Sequence, residues 1–140
     1  MMEITANAIQ TVNVNQNVLF TDTTISGNCS IVHRDGSGLV TLRGMTNQSR
    51  ARYKVTFGGN IAIPTGSAVG PISLAVSLEG EAIATTTMTA TPAATDNYWN
   101  IFSAIVIDVP RGCCSTIGVT NISTIPVNVQ NANLIIERIA

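Results

Sequence analysis

Four side chains in this sequence are of the types that carry metal or redox chemistry. Cys113 and Cys114 are adjacent, and the third cysteine, Cys29, lies four residues before the only histidine, His33. Three thiols and one imidazole form a ligand set that zinc accepts. Successive strand residues point to opposite faces, however, so Cys113 and Cys114 can share one metal ion only from a turn. The set also lacks the closely spaced cysteine pair that makes zinc motifs specific.

The sequence therefore predicts no metal site and no cofactor. We expect the cysteines to be free thiols that pack as small buried apolar side chains. Three cysteines cannot all pair within one chain, which makes a disulfide-stabilised scaffold a poor interpretation. A bond from Cys29 to one of the adjacent cysteines, or to another subunit, stays open at this point.

Catalysis by a hydrolytic triad would depend on His33. Asp35 and Ser37 follow it in the segment "HRDGSG". The triplet "HRD" also occurs in kinase catalytic loops, but the glycine-rich phosphate loop and the lysine strand that accompany it there are missing here. The remaining acids are scattered, and Glu79 and Glu81 share one hairpin tip. We predict no catalytic residues and a protein that is not an enzyme.

The composition limits the class of partner. Charged residues make up 11% of the 140 residues and the formal net charge is −1, whereas about 25% charged residues is usual. A nearly neutral chain argues against nucleic acid or an anionic membrane as a partner. No window approaches the roughly 18 apolar residues of a membrane span. The N-terminal stretch lacks the basic start and apolar block of a signal peptide.

Along the chain, apolar residues recur with a period of two, and turn residues separate one alternating segment from the next. This pattern predicts an all-β protein with two antiparallel sheets packed as a sandwich. The predicted strands are Val12–Thr21, Ser30–Arg34, Leu39–Arg43, Ala51–Phe57, Ile72–Leu78, Ile83–Thr91, Trp99–Val109, Ser115–Asn121, Val127–Gln130 and Asn133–Ile139.

One predicted strand, "RARYKVTF", has a clean alternation of apolar and basic residues. The apolar positions Ala51, Tyr53, Val55 and Phe57 face one way, and the outward row is Arg50, Arg52 and Lys54. This basic row is a candidate contact for an anion or for acidic groups of a partner. A solvated strand face is the alternative.

The segment "YWNIFSAIVIDVP" is apolar on both faces. The expected core face consists of Trp99, Ile101, Ile105, Ile107 and Val109. The opposite face carries Tyr98, Phe102, Ala104 and Val106, and an apolar face must be covered. A second copy of the chain is the economical cover, and burial of Phe102 or Tyr98 would contribute about 1.5–3 kcal/mol each. A loop of the same chain is the alternative.

Four segments in order resemble a known family. They are "RARYKVTFGGNI", "ISLAVSLEGEAI", "IFSAIVIDVPRGCCSTIGVTN" and "NANLIIERIA". Together they resemble the compact trimeric jelly rolls of the tumour-necrosis-factor and complement-globular-head superfamily, in particular its bacterial and phage members on spore-filament tips and virions. The chain departs from that pattern where "RGCC" replaces a Gly-Asp pair and in the absence of a collagen-like stalk.

The resemblance implies a two-sheet jelly roll that forms a homotrimer, with the long strand and the C-terminal strand at the three-fold contact. In "NLIIERI", Leu134 and Ile136 face one way, and Ile135 and Ile139 face the other. The candidate subunit interface is therefore Tyr98, Phe102, Ala104, Val106, Ile135 and Ile139.

The same resemblance predicts a structural protein on the outer surface of a phage virion, as a capsid decoration or fibre head. The alternative is a trimeric ligand-binding or adhesive head on a bacterial cell surface. We divide the chain into an N-terminal docking segment, residues 1–17, and a jelly-roll domain, residues 18–140. The docking segment is expected to attach the trimer to a larger protein lattice such as a capsid.

Overall fold

A computed structural model of the chain describes residues 1–27, 29–112 and 114–140. The strands in chain order are β1 (Met2–Ala6), β2 (Gln10–Val12), β3 (Asp22–Ile25), β4 (Ile31–His33), β5 (Val40–Arg43), β6 (Arg50–Ala62), β7 (Ile72–Leu78), β8 (Glu81–Ala82), β9 (Met88–Ala90), β10 (Trp99–Pro110), β11 (Cys114–Asn121) and β12 (Val127–Arg138). A short 3₁₀ turn, Ala84–Thr86, precedes β9. The described residues contain no helix with the length and apolar character needed to cross a membrane.

The strands form two antiparallel sheets, which confirms the predicted all-β sandwich. The front sheet has the order β10-β6-β12-β1-β3, with β2 also paired to β12. The back sheet has the order β4-β5-β11-β7-β8, with β9 paired to β7. The inner faces of both sheets supply one continuous apolar core.

Strand β6 shows how the sequence builds this core. Its alternate residues Ala51, Tyr53, Val55 and Phe57 are fully buried, and the basic residues between them lie on the outer face. The predicted alternation is therefore confirmed. The structure extends the strand to Ala62, where the inward Ile61 is also buried.

Strand β10 follows its prediction except at its first residue. Ile101, Ile107 and Val109 are buried, but Trp99 is 49% exposed, so its assignment to the core face was wrong. Trp99 is the first residue of the edge strand of the front sheet, which is hydrogen-bonded to β6 on one side. An edge position leaves a large ring partly uncovered.

Strand β1 lies within the predicted N-terminal docking segment, residues 1–17. Residues Met2–Ala6 lie between β12 and β3, and Met2, Ile4 and Ala6 are buried in the core. Met2–Ala6 are therefore part of the sandwich, and the attachment of residues 1–17 to a larger lattice stays a prediction. The stretch "MEITA" has the same period-two pattern as the other strands, but it is short.

Two predicted strands are shorter than expected. Of the predicted strand Val12–Thr21, only Val12 lies in a strand, as the last residue of β2 (Gln10–Val12), so this prediction was wrong for the rest of the segment. The segment is instead held to β11 by the Val18 N–H, which donates to the Val119 carbonyl at 2.8 Å. The predicted strand Ile83–Thr91 is interrupted because the Thr86 hydroxyl accepts the Val76 N–H at 2.9 Å. A hydroxyl that bonds the backbone in this way replaces a partner in the strand ladder.

Two other features concern turns and bulges. Glu79 and Gly80 both have positive φ, 52° and 83°, as a two-residue type I′ hairpin requires.

The two predicted C-terminal strands form the single strand β12, with an irregularity between Gln130 and Asn133. Asn131, in that irregularity, has φ 55°.

Candidate subunit interface

The outer face of the front sheet carries an exposed apolar patch. On β10, Phe102 is 65% exposed and Val106 is 52% exposed, and they alternate with the buried Ile101 and Ile107. Ala104 lies between Phe102 and Val106 on the same face and is exposed. The sequence therefore correctly predicted a second apolar face on this strand.

The strand register extends this patch across two further strands. Phe102 pairs with Gly58, Ala104 pairs with Thr56, and Thr56 in turn pairs with Ile135 of β12. Gly58 and Thr56 on β6 have no side chain and a short side chain, respectively. The outer surface therefore rises little between the aromatic ring of Phe102 and the half-buried Ile135. We use the term apolar patch for Phe102, Ala104, Val106 and Ile135.

Three further residues bear on the predicted interface. Tyr98 precedes β10 and is half-buried, and Ile139 follows β12 and is about half exposed, with its N–H donating to the Arg52 carbonyl at 2.9 Å. Ile25, which sequence reasoning missed, is exposed on β3 and pairs with Glu3, the partner of Ile135. Strand β3 is short and mostly polar, so its single outward isoleucine gave no signal.

The basic row borders the patch, and two of its members are already paired within the chain. Asp108 accepts from Arg50 Nε at 3.1 Å and from Arg52 Nε at 2.8 Å. Arg52 makes a second bond from Nη2 to Asp108 at 3.2 Å. Lys54 is exposed and lies between Val106 and Glu137 in the register. Among the described residues, Lys54 is the member of the row that forms no ion pair with a carboxylate.

The two hydrogen bonds between Arg52 and Asp108 shift the pKa of both groups, and this shift can be measured. The hydrogen bond from Arg52, aided by its positive charge and that of Arg50, lowers the pKa of Asp108, although some desolvation opposes the shift. The same hydrogen bond raises the pKa of Arg52. A lowered folded-state pKa means that the pair stabilises the fold at neutral pH and loses this effect as the pH falls through that pKa.

We therefore expect Arg52→Gln to raise the pKa of Asp108 toward the ordinary aspartate value. The measurement is an NMR titration of the Asp108 carboxyl carbon in the wild type and the variant. Arg34→Gln is the control, because Arg34 lies in the turn after β4 and is not among the causes of the Asp108 shift. An identical Asp108 titration in wild type and Arg52→Gln would contradict the pairing.

A row of asparagine side chains borders the patch at its other end. Asn100 donates to the Asn60 side-chain oxygen at 3.1 Å, and Asn60 donates to the Asn131 oxygen at 3.2 Å. Asn131 continues the row to Asn7 in the β1–β2 connection. Sequence reasoning missed this amide row because its members come from four distant segments.

The cysteines do not have the predicted burial. Cys29 and Cys114 are both exposed, so the expectation of buried thiols was wrong for these two, and Cys113 lies outside the described residues. Strand β5 separates them, because Arg43 pairs with Cys114 on one side and donates to Ser30, next to Cys29, on the other. Within residues 1–27, 29–112 and 114–140, no three metal-ligating side chains come together.

His33 is not arranged as a catalytic base. Its imidazole is fully buried, with Nε2 3.0 Å from the Ser37 carbonyl oxygen and Nδ1 3.9 Å from the Asp35 carboxylate. The Ser37 hydroxyl accepts the Leu39 N–H at 3.1 Å and so belongs to the turn. A nucleophile and its base must be within hydrogen-bond reach of each other. The hydrogen bond of His33 Nε2 goes to the Ser37 carbonyl oxygen and not to the Ser37 hydroxyl.

Comparison with known proteins identifies the fold. No protein-family model matches the sequence, and no curated protein matches it significantly. The structure has a jelly-roll fold similar to that of two solved structures, a complement globular domain and APRIL. It is similar to the globular domain of zebrafish complement 1qA protein, with a TM-score of 0.71 and 13% identity over 99% of this chain and 96% of that one.

A second similar structure is murine APRIL. At pH 8.5 the TM-score is 0.63 and the identity 10%, over 97% of this chain and 98% of that one. At pH 5.0 the TM-score is 0.58 and the identity 11%, over 95% and 97% of the two chains. These similarities confirm the predicted fold, and identities this low show the fold alone.

Proposed function

We propose that this chain is a non-enzymatic head that assembles as a homotrimer through the outer face of its front sheet. In this proposal the trimer is a capsid decoration or fibre head on the outside of a phage virion. The interface consists of the apolar patch together with Tyr98 and Ile139.

The observation that carries the proposal is the exposure of Phe102 and Val106 in an otherwise well-segregated sandwich. Their neighbours Ile101 and Ile107 are buried, so the strand itself is correctly seated in the core. An exposed apolar patch with polar and charged borders is typical of an interaction surface. Here the borders are the Arg50–Arg52–Asp108 group and the amide row.

The shape of the patch supports a contact with a ring of identical copies. Phe102 lies on the edge strand β10, Ile135 lies on the central strand β12, and Ile25 lies on the opposite edge strand β3. Contacts between two different surfaces of identical subunits close into rings when the rotation is right. The resemblance noted in the sequence implies a rotation of three-fold symmetry.

The absence of enzymatic activity is supported by the arrangement of the candidate catalytic residues. The buried imidazole of His33 bonds a backbone carbonyl, and the Ser37 hydroxyl is used by its own turn. In this proposal the chain functions by binding other molecules at its surface and not by catalysis.

Mass measurement tests the assembly, and fractionation tests its setting. Light scattering of the purified protein should give three times the 14.7 kDa mass of one chain, and a monomer at micromolar concentration would refute the trimer. Antibody detection in purified particles and in host cell envelopes then separates the virion from the bacterial surface. Detection in envelopes alone would refute the virion role and leave the trimer intact.

A further inference from the structure

One carboxylate lies within the face that the proposed trimer would bury. Glu3, on β1, pairs in register with Ile135 on one side and with Ile25 on the other, so the three side chains share the outer face of the front sheet. Thr56 and Ala104 continue this cross-strand line beyond Ile135. A second copy of the chain that covers Ile135 and Ile25 therefore also covers the carboxylate of Glu3.

The chain itself gives this carboxylate little compensation for being covered. Glu3 is half-buried, and its Oε2 atom accepts one long hydrogen bond, of 3.5 Å, from the Asn133 side chain. Among the described residues, no cation lies within ion-pair distance of Glu3. A carboxylate that loses its hydration without meeting an opposite charge weakens a contact. A subunit that packs on this face must therefore bring a cation to Glu3.

The other described acidic residues of the outer face differ from Glu3. Asp108 is already bound by two arginines of the basic row. Glu137 is exposed near the end of β12, and Asp22 is exposed on the edge strand β3. Glu3 is the half-buried carboxylate of this group, and the proposed contact removes it from water.

One cation of the same face is available to a second copy. Lys54, on β6, is exposed and forms no ion pair among the described residues. Glu137 lies opposite it in the register, but their charged groups are not in ion-pair contact. Lys54 also pairs with Val106 of the apolar patch, so it borders the proposed contact. Strand β12 separates Lys54 from Glu3 of the same chain.

We propose that Lys54 of one subunit binds Glu3 of the neighbouring subunit in the trimer. A closed ring of identical copies joins two different parts of one surface. Lys54 lies on the side of the front sheet toward β10, and Glu3 lies on the side toward β3. The pair selects the partner and its register, whereas burial of the apolar patch supplies the driving force. This inference rests on the proposed trimer, because the site is incomplete without the second copy.

Charge reversal with compensation tests the pair. Analytical ultracentrifugation over a dilution series measures the dissociation midpoint of the trimer. We expect Lys54→Glu and Glu3→Lys each to raise that midpoint about a hundredfold, because each variant places like charges in contact. The double variant restores opposite charges and should return to within about tenfold of the wild type. Glu81→Lys reverses an exposed acidic residue on β8 of the back sheet and should leave the midpoint unchanged.

Neutral substitutions decide the outcome if a reversed variant fails to fold, which circular dichroism identifies. Glu3→Gln and Lys54→Gln should each raise the dissociation midpoint about tenfold at low salt. The effect should shrink at high salt, because salt screens the attraction that the wild type retains. The double neutral variant should lose no more than either single one, since both substitutions remove the same pair.

Three results would overturn the ion pair. They are rescue of Lys54→Glu by Glu137→Lys and not by Glu3→Lys, additive losses in the two neutral variants, and a midpoint that neither reversal shifts. If Phe102→Asp still dissociates the trimer in any of these cases, the proposed assembly stands and only the pair is wrong. A wild-type protein that is monomeric at micromolar concentration would instead refute the proposed assembly and the pair together.

Discussion

Phe102→Asp is expected to convert the trimer to a folded monomer. Phe102 is 65% exposed in the single chain, so the fold itself does not need its ring. In the proposed trimer the ring is buried, and the substitution loses about 1.5–3 kcal/mol of apolar burial per subunit. It also places a carboxylate in an apolar contact, at a further cost of desolvation. We expect the dissociation midpoint to rise by about two orders of magnitude or more.

Val106→Asp and Val69→Asp form a matched pair that tests where the contact lies. The two valines are 52% and 54% exposed, but Val106 is on the apolar patch and Val69 is in the connection between β6 and β7. Light scattering across a dilution series should show dissociation for Val106→Asp and none for Val69→Asp. If both variants remain trimeric, or if both dissociate alike, the outer face of the front sheet is not the interface.

The second large effect is expected on stability, from Asn121→Ala. Asn121 is fully buried, and its Nδ2 atom donates to the carbonyls of Val12 and Ile125, each at 3.0 Å. Its Oδ1 atom accepts the Ser123 N–H at 2.9 Å. Alanine leaves these three backbone groups without their partner, and each unsatisfied buried group costs about 1–3 kcal/mol. With partial relaxation we expect a loss of about 3–4 kcal/mol.

Chemical denaturation at one fixed protein concentration measures this loss, because assembly makes stability concentration-dependent. Asn128→Ala is the matched control. The Asn128 side chain accepts one exposed bond from the Thr11 hydroxyl at 2.7 Å, so we expect a loss of about 1 kcal/mol or less. Equal losses in the two variants would show that the bond from Asn121 to Val12 does not anchor the end of β2 to β11.

Burial within a strand was predictable from the sequence, because it depends on the alternation of neighbouring residues. Strand β6 is the clearest case, with every predicted inward residue buried. The exposed second face of β10 was predictable for the same reason. Trp99 was not, because exposure at an edge depends on which strands lie beside it.

The partners of the candidate site were not predictable, because they depend on the register between distant strands. Asp108 meets Arg52 across 56 residues of chain. Asn60 meets Asn131 across 71 residues. Neither the pairing of Arg50 and Arg52 with Asp108 nor the amide row leaves a local signal. The loop 44–49 and the turn 110–112 are likewise brought together by tertiary structure, where the Gly112 N–H donates to the Gly44 carbonyl at 3.1 Å.

The internal position of β1, between β12 and the edge strand β3, has a consequence for the rate of folding. Strand β1 joins β12 to β3, and Glu3 reaches Asn133 across 130 residues of chain. Closing so long a loop costs entropy before the contacts repay it, and folds with many such contacts form slowly. Until β1 docks, β12 has an unpaired apolar edge, which is a template for misassembly. A newly made chain is therefore most vulnerable to aggregation just before its first strand takes its place.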